Sequence, residues 1–319
     1  MRLIFMGTPE FAVPCLEKLI SSHHEVLCVV TGPDKPVGRG QKLRSTPVCR
    51  RAMEANIPIL KPAKLKSPEF RNQLQMFPAD LYVVVAFRIL PEAVFEIPAR
   101  GTINLHGSLL PKYRGAAPIN WAIINGEKET GVTTFFIRKK VDTGDMILQR
   151  RMPIGKTEDA GSLHDRMSIL GAEMLLETVN LIEAGDAPRI PQEGESSAAP
   201  KLTRELCMID WSQDASHIYN LIRGLSPYPR AVTYFGDREF KICAALPDIR
   251  ESGNADLHPG MIVNLHQRNT IDVATGNGIL SITEIQPPNK RRMTSAEYLR
   301  GHAILEGERF VSPELKGDK

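Results

Sequence analysis

Five runs in the first half of the chain constrain its architecture more than any other feature: RLIFMG (2–7), VLCVVTG (26–32), LYVVVAF (81–87), TINLHG (102–107) and VTTFFIR (132–138) are almost entirely apolar. A strand with one wet face alternates apolar and polar residues, so runs of this kind belong to strands covered on both faces by crossover helices. Helical patterns lie between them. The expected fold is therefore α/β, an open, parallel-rich sheet with a Rossmann-like rhythm. Thr8 followed by Pro9 predicts a helix start, with Thr8 as the cap and FAVPCLEKLI (11–20) in a helix bent slightly by Pro14. Only Gly7 stands where a dinucleotide fold carries G-x-G-x-x-G, which argues against that ligand. Ligands are still expected beyond the carboxyl ends of the strands.

The segment SLHDRMSILGAEMLLETVNLIEAG (162–185) carries apolar residues at helical spacing and stops at Gly185, so it reads as the last helix of a first domain. DAPRIPQEGESSAAP (186–200) is rich in Pro, Ser and Glu and has no periodicity, the composition of a linker. The expected division is a first domain over 1–187, a linker over 188–204 and a second domain over 205–319. That second domain opens with a helix around 216–225. It then turns to short strands, AVTYF (231–235), EFKIC (239–243), GMIVNL (260–265), TIDVAT (270–275) and GILSITEI (278–285), which suit a small β-barrel.

Bulk properties bound the function. No apolar stretch approaches the ~20 residues a membrane helix needs, and the first residues are not a cleavable signal, so the expected location is the cytoplasm. Cys15, Cys28, Cys49, Cys207 and Cys243 are odd in number and widely spaced, with no C-x-x-C, which suggests neither disulfides nor a zinc site. The net charge is only +3. Lys plus Arg number 27 against 22 acids in residues 1–204, and 13 against 15 in 205–319, so any nucleic-acid surface must be local. Two clusters qualify: Lys35, Arg39, Lys42 and Arg44 on a Gly/Pro-containing loop, and the run Lys290, Arg291, Arg292. No large exposed apolar stripe is evident, and a monomer is expected.

The chemistry concentrates in GTINLHGSLLPKYRGAAP (101–118) and VDTGD (141–145). Alternate side chains of a strand share a face, so Asn104 and His106 should point into one cleft while Leu105 turns to the core. An amide donor beside an imidazole suits acyl transfer to an amine, because one group holds the developing oxyanion while the other moves protons. Asp142 would then orient and charge-stabilise the imidazole. No metal is required.

SLLPKYRGAAP, the TGVT at 130–133 and the DTGDM at 142–146 match, in order and spacing, the signature of the methionyl-tRNA formyltransferase family. GTPEFA (7–12) resembles that family's first strand-to-helix turn, PDKPVGRGQKLRSTPV (33–48) its basic insertion loop, and IDWS (209–212) with IRGLSPYPRA (222–231) the start of its C-terminal domain. The likeness is close and nearly full-length. It implies transfer of a formyl group from 10-formyltetrahydrofolate to the amino group of initiator methionyl-tRNA, with catalytic Asn104, His106 and Asp142. It further implies that Ser108, Leu109, Leu110 and Pro111 line the folate pocket, together with Phe87, Arg88, Ile89 and Leu90. The second domain would be an OB-like barrel that holds tRNA. The loop of Lys35, Arg39, Lys42 and Arg44 would reach the acceptor end, with Lys290, Arg291 and Arg292 as a lesser contact.

Two departures stand out. AFRILP (86–91) has Arg88 where family members commonly carry Gly, which puts the loop's backbone shape in question; Arg88 is also a candidate for the folate glutamate tail. GHAI (301–304) lacks an aromatic after its Gly. The competing readings are another user of the same folate acting on a small amine or sugar nucleotide, the hydrolase module of a formyltetrahydrofolate dehydrogenase, and a non-catalytic tRNA-binding protein.

Overall fold

A computed structural model describes residues 1–37, 42–250, 257–265, 269–302 and 304–312. Contacts divide the chain into two compact units: residues 1–115, 130–152 and 164–199 form the first, and 116–129, 153–163 and 200–319 the second.

The first unit is built on the apolar runs. Strands β1 (Arg2–Gly7), β2 (Glu25–Val30), β5 (Ile59–Leu60), β6 (Leu81–Val85), β7 (Thr102–His106), β9 (Glu129–Phe136) and β10 (Met146–Pro153) make a seven-stranded sheet in the order β10-β9-β7-β6-β1-β2-β5. The pairs β1–β2, β1–β6, β2–β5 and β6–β7 are parallel, while β7–β9 is antiparallel. Every residue of β6 is buried, as its unbroken apolar run requires. The last strand, β10, alternates between sheltered and exposed positions.

Helices α1 (Val13–Ile20), α2 (Pro47–Glu54), α3 (Pro68–Gln75), α4 (Glu92–Phe95) and α6 (Ala160–Ala184) accompany this sheet. Ser67 and Thr46 cap α3 and α2 by accepting the Phe70 and Cys49 N–H groups. Thr8 does no such thing, a correction to the expected helix start. A 3-10 turn over Glu10–Ala12 intervenes with no side-chain cap, and α1 begins afterwards with Pro14 in its first turn. There a proline removes no intrahelical hydrogen bond, so the expected bend has no cause. The hairpin of β3 (Lys35–Val37) and β4 (Lys42–Arg44) departs after β2.

In the second unit α5 (Pro118–Ile124) and α7 (Ala215–Gly224) lie side by side, and Asn120 donates to the Gly224 carbonyl at 2.8 Å. Its sheet has the order β14-β15-β16-β13-β12-β18: β14 (Ile262–Asn264), β15 (Ile271–Ala274), β16 (Ile279–Gln286), β13 (Arg238–Ala245), β12 (Ala231–Phe235) and β18 (Phe310–Val311). Here β17 (Met293–Thr294) pairs beside β16 and leads into α8 (Ser295–Gly301), which Thr294 and Glu297 start with a capping box. Ile262 N–H donates to the Glu308 carbonyl and Phe310 N–H to the Gly260 carbonyl, at 2.8 and 2.9 Å. These bonds tie the last strand back to the first, so the sheet closes on itself and hides its edges. The IDWS sequence serves this core: Trp211 is 3% exposed, stacks on Phe310 and donates to Thr233 Oγ1 at 2.9 Å.

Candidate active site

Strand β7 ends at His106, at the carboxyl end of the parallel sheet. Leu105 is buried in the core, and Asn104 and His106 occupy the other face. Asn104 lies opposite Val84 of β6 and Phe135 of β9, whereas His106 lies opposite Thr133. The two side chains differ in commitment. The half-buried Asn104 carboxamide has no hydrogen-bond partner among the described residues.

The buried His106 directs Nε2 at the Tyr113 carbonyl, 2.8 Å away. A carbonyl only accepts, so the proton sits on Nε2 and the lone pair on Nδ1. That lone pair faces Asp142, whose Oδ2 is 3.8 Å from Nδ1, too long for a hydrogen bond and close enough for an ion pair once Nδ1 is protonated. The carboxylate is itself held by the Gly115 N–H, which donates to Oδ2 at 2.9 Å. Asp142 is expected to orient and charge-stabilise the imidazole; in the folded chain the hydrogen bond on the ring goes to the Tyr113 carbonyl, and the Asp142 carboxylate stands beyond hydrogen-bond reach of Nδ1.

The backbone that carries these groups is kept in unusual conformations. Tyr113 and Asp142 have φ of +60° and +53°, and Ala86, at the adjacent strand end, +48°. Such values are costly for residues with a side chain and persist where the surroundings over-determine them. Several bonds do so here. Gln192 donates through Nε2 to the carbonyls of Asp142 and Gly144, both at 2.9 Å, and accepts from Arg114 through Oε1. Ser197 accepts the Tyr113 N–H, and β8 (Arg114–Gly115) pairs in parallel with β11 (Ala198–Ala199). Gly144 permits the turn to approach β9, because a Cβ there would stand 1.6 Å from the Phe136 carbonyl oxygen.

The SLLP loop is fastened from beneath. Thr133 Oγ1 donates to the Ser108 carbonyl at 2.7 Å and accepts the Leu110 N–H at 3.2 Å, while Gln149 donates to the Leu110 carbonyl. Ser108 Oγ donates to the Lys112 carbonyl, so its hydrogen is spent within the loop. Leu110 is buried; Leu109 and Pro111 are half-buried.

On the neighbouring strand end, Ile89 is exposed, Phe87 and Arg88 are half-buried, and Leu90 belongs to an apolar cluster with Val84 and Val94. Arg88 needs no left-handed backbone; Ala86 takes that conformation instead. Its guanidinium donates to the carbonyls of Pro62 and Ala63 at 2.7 and 3.1 Å, and burial pushes its pKa down. It therefore ties two loops together.

The expected nucleic-acid contacts divide. Lys35 and Arg44 are exposed and face one another across the β3–β4 hairpin; Lys42 contributes its backbone to that hairpin, and Arg39 lies outside the described residues. In the second unit Arg291 pairs with Glu297 and Arg292 with Glu284, leaving Lys290 with its ammonium 3.1 Å from His302. Among the described residues, one group has metal-ligand spacing, His23, His24 and Glu183, at the opposite end of the sheet from His106. No described helix is long and apolar enough to cross a membrane.

Thr133, Gln149, Arg114, Gln192 and Ser197 are the site residues that sequence reasoning missed. Thr133 falls inside the TGVT motif, which was a usable signal. Gln192 and Ser197 stand in a stretch whose composition says only linker, and nothing local marks them.

Comparison with known proteins gives a consistent picture. The family described as formyl transferase matches residues 1–179, and its C-terminal domain matches residues 201–303. A methionyl-tRNA formyltransferase of Alkaliphilus oremlandii is 50% identical over 96% of this chain and 98% of its own length. One of Pelotomaculum thermopropionicum is 47% identical over 96% of this chain and 97% of its own. Among solved structures, HypX of Aquifex aeolicus in complex with tetrahydrofolic acid superposes with a TM-score of 0.64 at 21% identity. It covers 94% of this chain and 47% of the HypX chain, and at that identity the likeness is one of fold.

Proposed function

This chain belongs to the methionyl-tRNA formyltransferase family, and on that premise we propose how its own residues move a formyl group from 10-formyltetrahydrofolate to the α-amine of initiator methionyl-tRNA. The observation that carries the assignment is the pairing of an uncommitted amide, Asn104, with an imidazole whose free lone pair faces a carboxylate.

The folate supplies an activated formyl carbonyl on N10. His106 Nδ1 takes the proton from the attacking amine, and Asp142 stabilises the imidazolium so formed. The Asn104 Nδ2–H donates to the formyl oxygen as it gains charge; loss of one such donor typically costs about 2.7–4 kcal/mol of barrier. His106 then returns its proton to N10 as the new C–N bond replaces the old one. Nε2 stays bound to the Tyr113 carbonyl throughout, so the ring does not turn between the two transfers.

The loops over Ser108–Pro111 and Phe87–Leu90 form the folate pocket in this reading. Leu90 and Leu110 support it from the core, and Arg88 fixes its rim rather than meeting the glutamate tail. Residues 1–187 carry the chemistry and 205–319 form an OB-like barrel that binds tRNA, joined through 188–204. The sequence segment that carries Lys35, Arg39, Lys42 and Arg44 tracks acceptor-end phosphates, and Lys290, Arg291 and Arg292 lie on the second RNA surface. The enzyme acts in the cytoplasm as a single chain.

The test is transfer of labelled formyl to initiator methionyl-tRNA, elongator methionyl-tRNA and glycinamide ribonucleotide by wild type and His106→Ala. Transfer confined to the initiator and lost in the variant supports the assignment. Transfer to the small amine alone overturns the choice of acceptor.

A further inference from the structure

The loop SPYPR (226–230) follows α7 in the second unit and presents a lone aromatic ring. Tyr228 is 82% exposed, and its hydroxyl has no partner among the described residues. A tyrosine usually buries its ring and leaves only its tip in water. This one is kept from folding back. Pro227 and Pro229 fix φ on either side of it. Arg230, at φ +83°, donates its N–H to the Leu225 carbonyl at 2.8 Å and its Nε–H to the Pro227 carbonyl at 2.9 Å. Ser226 donates to Asp159 at 3.2 Å and accepts, through its carbonyl, the Gly161 N–H at 3.1 Å.

The Arg230 guanidinium stands at the base of the loop. Arg230 also donates to Gln286, which lies opposite Lys241 across the sheet and donates in turn to the Lys290 carbonyl. On the same sheet Arg292 pairs with Glu284, and Lys241 stands one residue from Ile242, which lies opposite Ala231. A single ring on a loop anchored by Arg230 lacks the contiguous apolar area that a protein partner would cover. It has the two elements that hold single-stranded nucleic acid, a π-face for a base and charge for the backbone.

We propose that Tyr228 is a stacking platform for an unpaired base of the bound tRNA. This rests on the reading of the acceptor as a tRNA. A stacked ring lends affinity and not chemistry, so its loss acts on binding.

The test compares wild type, Tyr228→Ala and Tyr228→Trp for affinity toward initiator methionyl-tRNA, and for the transfer rate at saturating tRNA. Tyr228→Ala is expected to raise Kd roughly 10-fold or more and to leave the saturated rate unchanged. Tyr228→Trp is expected to restore the affinity, with tRNA quenching its fluorescence beyond the signal of Trp121 and Trp211 seen in wild type. A Kd within about twofold of wild type for Tyr228→Ala, or no added quench for Tyr228→Trp, overturns the platform. Wild type that binds no tRNA overturns the tRNA reading itself, a result that the variants cannot produce.

Discussion

Two buried histidines sit at opposite ends of the same sheet, and the difference between them separates structure from chemistry. His24, beside the start of β1, is 5% exposed and has both ring nitrogens engaged: Nε2 donates to Asn180 at 2.9 Å, and Nδ1 accepts from the Met1 amine at 3.2 Å. His106 is 6% exposed and commits one nitrogen alone. Burial is the same for both. Each Nδ1 also faces a carboxylate, Glu183 at 3.7 Å for His24 and Asp142 at 3.8 Å for His106; what differs is that the His106 lone pair has no proton donor among the described residues. A saturated imidazole is a structural strut, whereas one with a free lone pair and a waiting counter-charge can accept a proton.

The largest effect that tests this contrast is on rate. His106→Ala should lower kcat by about 10²–10⁴-fold, while the thermal midpoint of unfolding changes far less than the rate. Asp142→Asn keeps an acceptor for the Gly115 N–H and removes the charge, so a smaller fall of roughly 10–100-fold in kcat is expected. An undiminished rate in that variant would mean that the imidazolium is stabilised by something else.

His24→Ala should leave kcat at saturating substrates unchanged and reduce unfolding free energy by about 1–3 kcal/mol, through lost hydrogen bonds and packing. Denaturant titration beside a turnover assay reads both. A loss of rate at normal stability would dissolve the contrast between the two residues.

The smallest effect is on pH. Glu183, beside His23 and the chain's amino terminus, is held down at about 2 from an ordinary 4.5, and burial lowers His24 from its ordinary 6.5. The unfolded chain therefore takes up protons first at both groups. Stability should decline as pH falls below 6.5, and again between 4.5 and about 2, with the second decline smaller in Glu183→Gln, since Asp34, Asp80 and Asp210 are also held below their ordinary values by their partners. A melting profile flat from pH 7 to 5 in wild type would remove His24 from this account.

The sheet was legible because its strands are buried on both faces and read as apolar runs; four of the five expected runs begin within one residue of the observed strands. VTTFFIR begins three residues inside β9, since Glu129–Gly131 carry no apolar signal. Asn104 and His106 were legible for a related reason, since a period of two puts them on one face wherever the strand sits. The first helix was misread at Thr8, where a 3-10 turn leaves the local cap pattern unused. Strand β10, whose pattern iterates between sheltered and exposed, and the short β18 lack the apolar density that marks the others.

Read along the chain alone, the residues already specify the parallel-rich α/β sheet, most strands of the second unit's sheet and the placing of Asn104 and His106 on one face of a strand. Periodicity and side-chain chemistry are local properties, and they survive without knowledge of neighbours. Folding settles which nitrogen of His106 meets the Tyr113 carbonyl, that Asp142 stands 3.8 Å from the other, and that Gln192 and Ser197 bond to the backbone of Asp142 and Tyr113. Those outcomes depend on groups 50 or 84 residues apart meeting at one hydrogen bond. No pattern along the chain encodes such a meeting, because the free energy that selects it belongs to the folded surroundings.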